Sequence, residues 1–347
     1  MNTKILKIDK DNIDREMILE SANVIREGEL VAFPTETVYG LGANGLDEDA
    51  VKKIYIAKGR PSDNPLILHI SSREELQPLV KDIPPIAYKC MERFWPGPLT
   101  MIFKKSEIIP SIITGGLDTV AIRMPSHPIA SALISASGVP IAAPSANTSG
   151  RPSPTNAEHV MEDMKGKIPI IIDGGDTGIG LESTVLDLSV ENPMILRPGG
   201  ITLEDLREII PNVTQDRSIV QKNVVPKSPG QKYRHYAPKA EMILFTGRVD
   251  DMVEEINNRV DKLIFQGKKV GIIATDETKN RYNRGLVVVS GSRKEPETIA
   301  ANLFSVIRGF DKEDIEIILA EGVAVDNIGM AIMNRMIKAA GGKVINL

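Results

Sequence analysis

Cysteine occurs once in the 347 residues, at Cys90, so no disulfide framework holds this chain together. Histidine is almost as scarce: the four at 69, 127, 159 and 235 share no spacing with one another or with Cys90 that fits a zinc site. Aromatic residues make up 4% of the chain, and 42 Lys and Arg are outnumbered by 46 Asp and Glu, for a formal charge of -4. That balance excludes the global basic footprint of a protein that lives on nucleic acid, while leaving room for a local anion site. No apolar run approaches the roughly 18 residues of a membrane span. The opening "MNTKILKIDKDN" lacks the apolar core of a signal peptide. These absences together predict a soluble, cytoplasmic protein. No Gly-x-x-x-x-Gly-Lys-Ser/Thr sequence offers a P-loop.

What is present is a chain with 42% hydrophobic residues, long enough for two domains. Up to about residue 212, short β-branched runs such as "ELVAFPTETVYG", "PLILHI", "LTMIFK", "TVAIRMP", "VPIAAPSA" and "STVLDLS" end in Gly, Pro, Ser or Thr. They read as buried strands whose ends carry loops. Helical patterns cover 14–28, 47–57, 84–94, 127–137 and 203–210, the last opened by Thr202 with Asp205 three residues on, as in a capping box. Residues 213–239 hold six Lys or Arg, one Asp and three prolines, a linker at net +5. From 240 a second alternation begins, with helices at 250–266, 295–309 and 328–340 between apolar runs, which predicts βαβ units and a small parallel sheet. No Gly-x-Gly-x-x-Gly follows its first strand, so a dinucleotide site there has little support. The predicted fold is α/β: a large twisted domain with an open sheet at 1–212, the linker at 213–239, and a smaller Rossmann-like α/β domain at 240–347.

Five segments of the first domain combine polar groups with conformationally restricted backbone. "FPTETVYGLGANG" puts Thr35, Glu36, Thr37 and Tyr39 beyond an apolar strand. "AKGRPSDNPLILHI" offers Lys58, Arg60, Ser62 and Asn64 between prolines and runs on to His69, and an Arg fork beside a compact Lys charge suits phosphate. In "GGLDTVAIRMPSHP", Arg123 stands in an apolar strand, so it either pairs with a structural carboxylate or clamps an anionic substrate. "PIAAPSANTSGRPSPT" gathers Ser145, Asn147, Ser149 and Ser153 at a strand end, as a turn cluster or an anion-binding concavity. "GLESTVLDL" and "ILRPGGITLEDL" place Arg197 before Pro-Gly-Gly and a helix start, a cation beside open helix N–H groups. His69 taken alone is a structural histidine more often than a catalyst. Together, Lys58, Arg60, Arg123 and Arg197 with a ring of hydroxyls describe one cleft for a small polyanion.

In this order, "FPTETVYGLGA", "KGRP…NPL", "RMP", "APSANTSGRPSPT", "ESTVLDL" and "RPGGIT" resemble the YrdC-like domain of the threonylcarbamoyl-AMP synthases. The resemblance continues through "SPGQKYRHYAPKA", similar to the linker of the long, two-domain form, and "NIGMAIMNRMIKAA", similar to the end of its C-terminal domain. Gln231 stands where the family linker usually has methionine. The resemblance implies an enzyme that makes threonylcarbamoyl-adenylate and pyrophosphate from L-threonine, bicarbonate or CO2, and ATP brought with Mg2+. The product would pass to a downstream tRNA threonylcarbamoyl transferase, and direct tRNA binding is not required. It further implies that Lys58, Arg60, Asn64, Thr119, Ser145, Ser153 and Arg197 contact ATP, with Lys58 and Arg60 as the catalytic cations, and that Thr37, His69, Arg123 and Ser183 hold threonine. Tyr236 of the linker would close over ATP, the basic run acting as a lid that excludes water. Two rival readings use the same cleft, a carbamoyltransferase and an RNA-binding protein. The first lacks the cysteine-rich zinc regions it would want, and the second lacks an aromatic, basic face.

Overall fold

The computed structural model describes residues 2–216 and 235–347, in two compact units. Described residues up to 149 and from 153 to 216 form the first, and residues 150–152 and 235–347 form the second.

The first unit is built on one mixed sheet. Its strands are β1 (Lys4–Lys7), β2 (Val31–Phe33), β3 (Gly40–Asn44), β4 (Ile67–His69), β5 (Leu99–Lys104), β6 (Thr119–Arg123), β7 (Ile141–Ala142), β8 (Ile170–Asp173), β9 (Thr184–Asp187), β10 (Met194–Arg197) and β11 (Thr214–Gln215). They lie in the order β1-β8-β2-β3-β7-β4-β6-β5-β9-β10-β11. Among the described strands only four consecutive pairs (β2–β3, β5–β6, β9–β10 and β10–β11) are sheet neighbours, and in the middle of the sheet parallel pairs (β4 with β6, β5 with β9) alternate with antiparallel ones (β5 with β6, β4 with β7). Most central strands are buried along their length, which is why they read as continuous apolar runs. The helices α1 (Arg15–Arg26), α2 (Glu48–Lys58), α3 (Pro85–Phe94), α4 (Ser111–Thr114), α5 (Pro128–Ser137), α6 (Ala157–Met164) and α7 (Leu203–Arg207) pack on the sheet or join its strands.

Local signals set their ends. Asp14 and Asp47 each accept two backbone N–H groups of the first turn that follows, and Gly59 closes α2 in the left-handed conformation. The capping box before α7 is formed: Thr202 Oγ1 accepts from Asp205 N at 3.1 Å, and Asp205 Oδ2 accepts from Thr202 N at 2.9 Å. Two of the N–H groups at this helix start, those of Thr202 and Asp205, are thereby taken by side chains. The sheet also runs on to Thr214–Gln215, inside the stretch read as linker. Residues 217–234 of that stretch fall outside the described residues.

In the second unit, β12 (Glu241–Thr246), β13 (Val270–Ala274), β14 (Leu286–Val289), β15 (Ile317–Glu321) and β16 (Val344–Asn346) make a wholly parallel sheet in the order β14-β13-β15-β12-β16. The amphipathic helices α8 (Val249–Phe265), α9 (Pro296–Phe310) and α10 (Gly329–Ala339) join its strands, as the second alternation predicted. Within this unit Arg308, 1% exposed, donates through Nε and Nη2 to the Pro152 carbonyl at 3.1 and 2.7 Å. Among the described residues no helix is long and apolar enough to cross a membrane.

Candidate active site

Register places the site. His69 on β4 pairs with Arg123 on β6, and Arg123 pairs with Thr100 on β5, so the three stand in one row across the sheet. Residues directly opposite share a face, and the row therefore presents an imidazole, a guanidinium and a hydroxyl side by side. All three side chains are buried. Arg123 is 4% exposed and donates through Nη1 to Thr37 Oγ1 at 2.9 Å and through Nε to the Gly97 carbonyl at 3.3 Å. Thr35 Oγ1 lies 2.8 Å from Thr37 Oγ1 and accepts from the Thr37 and Val38 N–H groups, fixing the turn that aims Thr37 at Arg123.

The sequence left open whether Arg123 meets a structural carboxylate. It does: Glu36 Oε1 comes within 2.7 Å of Nη2. Both Glu36 oxygens and Nη2 are buried, and the backbone N–H groups of Glu36 and Ser126 also face the carboxylate. Burial works against the Glu36 charge, but the adjacent Arg123 guanidinium overrides it and holds the carboxyl below its usual range. Burial, reinforced by the Arg123 charge, pushes His69 down to about 3, so its ring is neutral at pH 7. His69 Nδ1 is buried, and the Phe33 ring stands edge-on to the imidazole with centroids 6.5 Å apart.

Beyond Thr100 the row turns towards β9 and β10. Thr100 Oγ1 lies 2.7 Å from Ser183 Oγ, and Arg197 reaches the same serine through Nη2 to Oγ at 3.1 Å and Nε to its carbonyl at 3.0 Å. That contact needs Gly199. A Cβ there would lie 2.3 Å from Thr184 N, so only glycine lets the Pro-Gly-Gly backbone close on residues 182–184. Ser153 Oγ donates to Glu182, next to Ser183.

The remaining expected nucleotide residues fall into smaller groups. Lys58, at the end of α2, is 2% exposed and donates to the Ser145 carbonyl and, at 2.6 Å, to the Asn147 carbonyl, while Ser145 Oγ donates to Asn147 Oδ1. The lysine thereby ties α2 to the "APSANTSG" loop. Arg60 donates to the Pro65 carbonyl at 3.1 Å, and buried Asn64 keeps Oδ1 without a partner. Thr119 lies on the Arg123 face of β6, about 13 Å along the strand at 3.3 Å per residue. Tyr236 belongs to the second unit: its φ is 62°, its ring stacks on Phe304 with centroids 5.1 Å apart, and the Arg335 guanidinium lies 5.8 Å from the ring centre. Thr100, Glu36 and Glu182 are polar members that sequence reasoning did not assign. Thr100 is one hydroxyl in an apolar strand, Glu36 was named in its segment without a role, and Glu182 sits beside Ser183.

Two family models match the chain in series. One, described as "Telomere recombination" and shared by Sua5, YciO and YrdC proteins, covers residues 23–199, and the "Threonylcarbamoyl-AMP synthase, C-terminal domain" covers 201–341. The threonylcarbamoyl-AMP synthase of Pyrococcus abyssi is 52% identical over 97% of this chain and 98% of its own. That of Bacillus subtilis is 50% identical over 94% of each. The chain belongs to the threonylcarbamoyl-AMP synthases. As a member of that family it is a nucleotidyl-transfer enzyme that forms L-threonylcarbamoyladenylate. The crystal structure of P. abyssi Sua5 complexed with L-threonine superposes with a TM-score of 0.95 at 51% identity, covering 99% of this chain and 100% of that one. The two-unit α/β architecture of the threonylcarbamoyl-AMP synthase is thus common to both.

Proposed function

We propose that the chain binds L-threonine at the His69–Arg123–Thr37 row and ATP alongside it, and joins them through captured CO2. The threonine amine attacks CO2, delivered as such or from bicarbonate, and loses a proton to give the N-carboxylate. A carboxylate oxygen then attacks the α-phosphorus of ATP, the bond to the bridging oxygen breaks, and pyrophosphate leaves. One observation carries this reading: a buried guanidinium with a hydroxyl at 2.9 Å and a neutral imidazole opposite it in register offers partners for an α-carboxylate and a β-hydroxyl. The P. abyssi relative, crystallised as a complex with L-threonine, supports the choice of amino acid.

No side chain in the row is placed as a nucleophile, and the reaction does not need one. What it needs is alignment of two anionic reactants, which Arg123 and Arg197 supply from either side of the Thr100–Ser183 pair, with Lys58 and Arg60 at the phosphates. Lys58, Arg60, Asn64, Thr119, Ser145, Ser153 and Arg197 form the proposed nucleotide side, and Thr37, His69, Arg123 and Ser183 the threonine side. Neutral His69 serves as a hydrogen-bonding partner, since an imidazole held near 3 is a poor proton acceptor at pH 7. Magnesium enters as the counter-ion of ATP, held by phosphate oxygens. Tyr236 closes over the nucleotide, and the adenylate passes to a tRNA threonylcarbamoyl transferase.

The test is pyrophosphate release from MgATP by the full chain, with L-serine as the control amino acid. Release that requires L-threonine and bicarbonate together is expected. Release indifferent to threonine, or consumption of carbamoyl phosphate in its place, would overturn the reading.

A further inference from the structure

Glu36 is a charged residue at the row that the proposed chemistry leaves unused. Its carboxylate lies 2.7 Å from Arg123 Nη2 and balances the guanidinium charge. The same guanidinium meets the Thr37 hydroxyl through Nη1, so the ion pair stands beside a hydroxyl proposed for threonine. It also sets the charge at the row: with Glu36 ionised and His69 neutral, Arg123 and Glu36 sum to zero, while Arg197, beyond Ser183, stands on the proposed nucleotide side.

A pocket of zero net charge with separated poles suits a ligand that also has zero net charge and separated poles. An α-amino acid zwitterion can set its carboxylate against Arg123 while its ammonium stays in the field of Glu36, and the whole remains neutral. An anion of the same shape without the ammonium leaves one negative charge uncompensated where little water reaches, and low local polarity magnifies that difference. We propose that Glu36 is a specificity-determining residue: through its charge beside Arg123 it makes the pocket select amino-acid zwitterions over the corresponding hydroxy-acid anions. The proposal rests on the reading of this row as the threonine site. Glu36 need not touch the ligand, since the discrimination acts through the field. Removing its charge should therefore relax selectivity in a particular direction: the anion gains relative to the zwitterion.

The experiment is calorimetric binding of L-threonine and of (2S,3R)-2,3-dihydroxybutanoate to the full chain at pH 7.5, in wild type, Glu36→Gln and Glu36→Asp. Wild type should prefer threonine by at least about tenfold, which corresponds to about 1.4 kcal/mol. In Glu36→Gln the preference should shrink to about threefold or less, with the hydroxy acid losing less affinity than threonine or gaining some. Glu36→Asp should recover most of the preference. A Glu36→Gln protein that melts near the wild-type temperature and keeps the full preference overturns the proposal. So does a wild type that binds both ligands equally, and this arm stands even if the Gln variant fails to fold. A wild type that binds neither ligand overturns the threonine site itself, an outcome distinct from the loss of selectivity.

Discussion

Each unit buries a carboxylate against an arginine, and the two pairs are built differently. In the second unit, Glu321 at the end of β15 is 1% exposed and takes hydrogen bonds from Tyr282 at 2.6 Å, from Thr278, from Thr275 at 3.4 Å and from Arg293, which also holds the Gly322 carbonyl at 2.9 Å. Both carboxylate oxygens have donors, and the loops after β13 and β15 are tied to each other. In the first unit, Arg123 is the side-chain partner of Glu36, at 2.7 Å. A carboxylate saturated by side-chain donors braces its loops, whereas one left unsaturated by them leans on a single charge. The first arrangement belongs to the loops of the second unit, the second to the row proposed to hold threonine.

The largest effect should come from breaking the saturated pair. Glu321→Ala leaves Arg293 without its carboxylate and three hydroxyls without their acceptor. Unfolding in urea should show the second unit destabilised by roughly 3–5 kcal/mol. A loss below about 1 kcal/mol would mean that the network is decorative.

Breaking the unsaturated pair should cost less stability and more function. Arg123→Ala removes the proposed carboxylate partner, and kcat/KM for threonine in pyrophosphate release should fall about 100-fold, roughly 2.7 kcal/mol. Its stability loss should be smaller than that of Glu321→Ala, because Glu36 keeps 14% of its side chain exposed and can hydrate or take up a proton once unpaired. Equal stability losses in the two variants would erase the distinction drawn between the pairs.

The row also carries a pH signature in the acid range. His69 titrates near 3 in the folded protein, below its unfolded value of about 6.5. The unfolded chain therefore binds the proton first as pH falls, so stability is intact above about 6.5 and declines between there and about 3. Glu36, depressed for the opposite reason, adds a second loss only below its unfolded value of about 4.5. Between pH 5.5 and 4.5, wild type should lose about 1.4 kcal/mol more than His69→Gln. Parallel stability profiles over that interval would show that the ring is not held neutral by burial.

How far the sequence reached also differs between the two pairs. Helix limits were legible because caps are local: Asp14, Asp47 and the Thr202–Asp205 box announce themselves within four residues. The parallel second sheet followed from strand–helix alternation, a pattern that admits few topologies. The mixed first sheet did not, since β4 pairs with β6 and β7, and β5 with β9, through connections no short-range pattern encodes. Helix Ala157–Met164 was hidden behind the Pro-Ser-Pro run that precedes its Asn156 cap. The β1 strand was hidden by its four-residue length and exposed positions. At the site, Thr37 and His69 stood out beside strand ends, Arg123 as a charge within an apolar strand, and Ser183 only through the family resemblance, but Glu36 gained meaning only when a residue 87 positions away arrived beside it. The Glu321 network was invisible for the same reason: Thr275 and Tyr282 come from the β13–β14 connection and Arg293 from the one that follows β14.

The smallest predicted effect probes the join between the two sides of the site. Thr100 and Ser183 meet through hydroxyls 2.7 Å apart, and Arg197 holds the same serine at 3.1 Å. Thr100→Val keeps the shape of the side chain and deletes one neutral hydrogen bond, while Ser183 retains Arg197. The expected cost is about 1 kcal/mol of stability, with kcat/KM reduced less than about fivefold. A reduction beyond about fiftyfold at unchanged stability would move Thr100 from supporting Ser183 to touching substrate. The sheet row of the first unit would then present one more ligand-facing hydroxyl, against a Glu321 network in the second unit whose hydroxyls are already spent on one another and on the carboxylate.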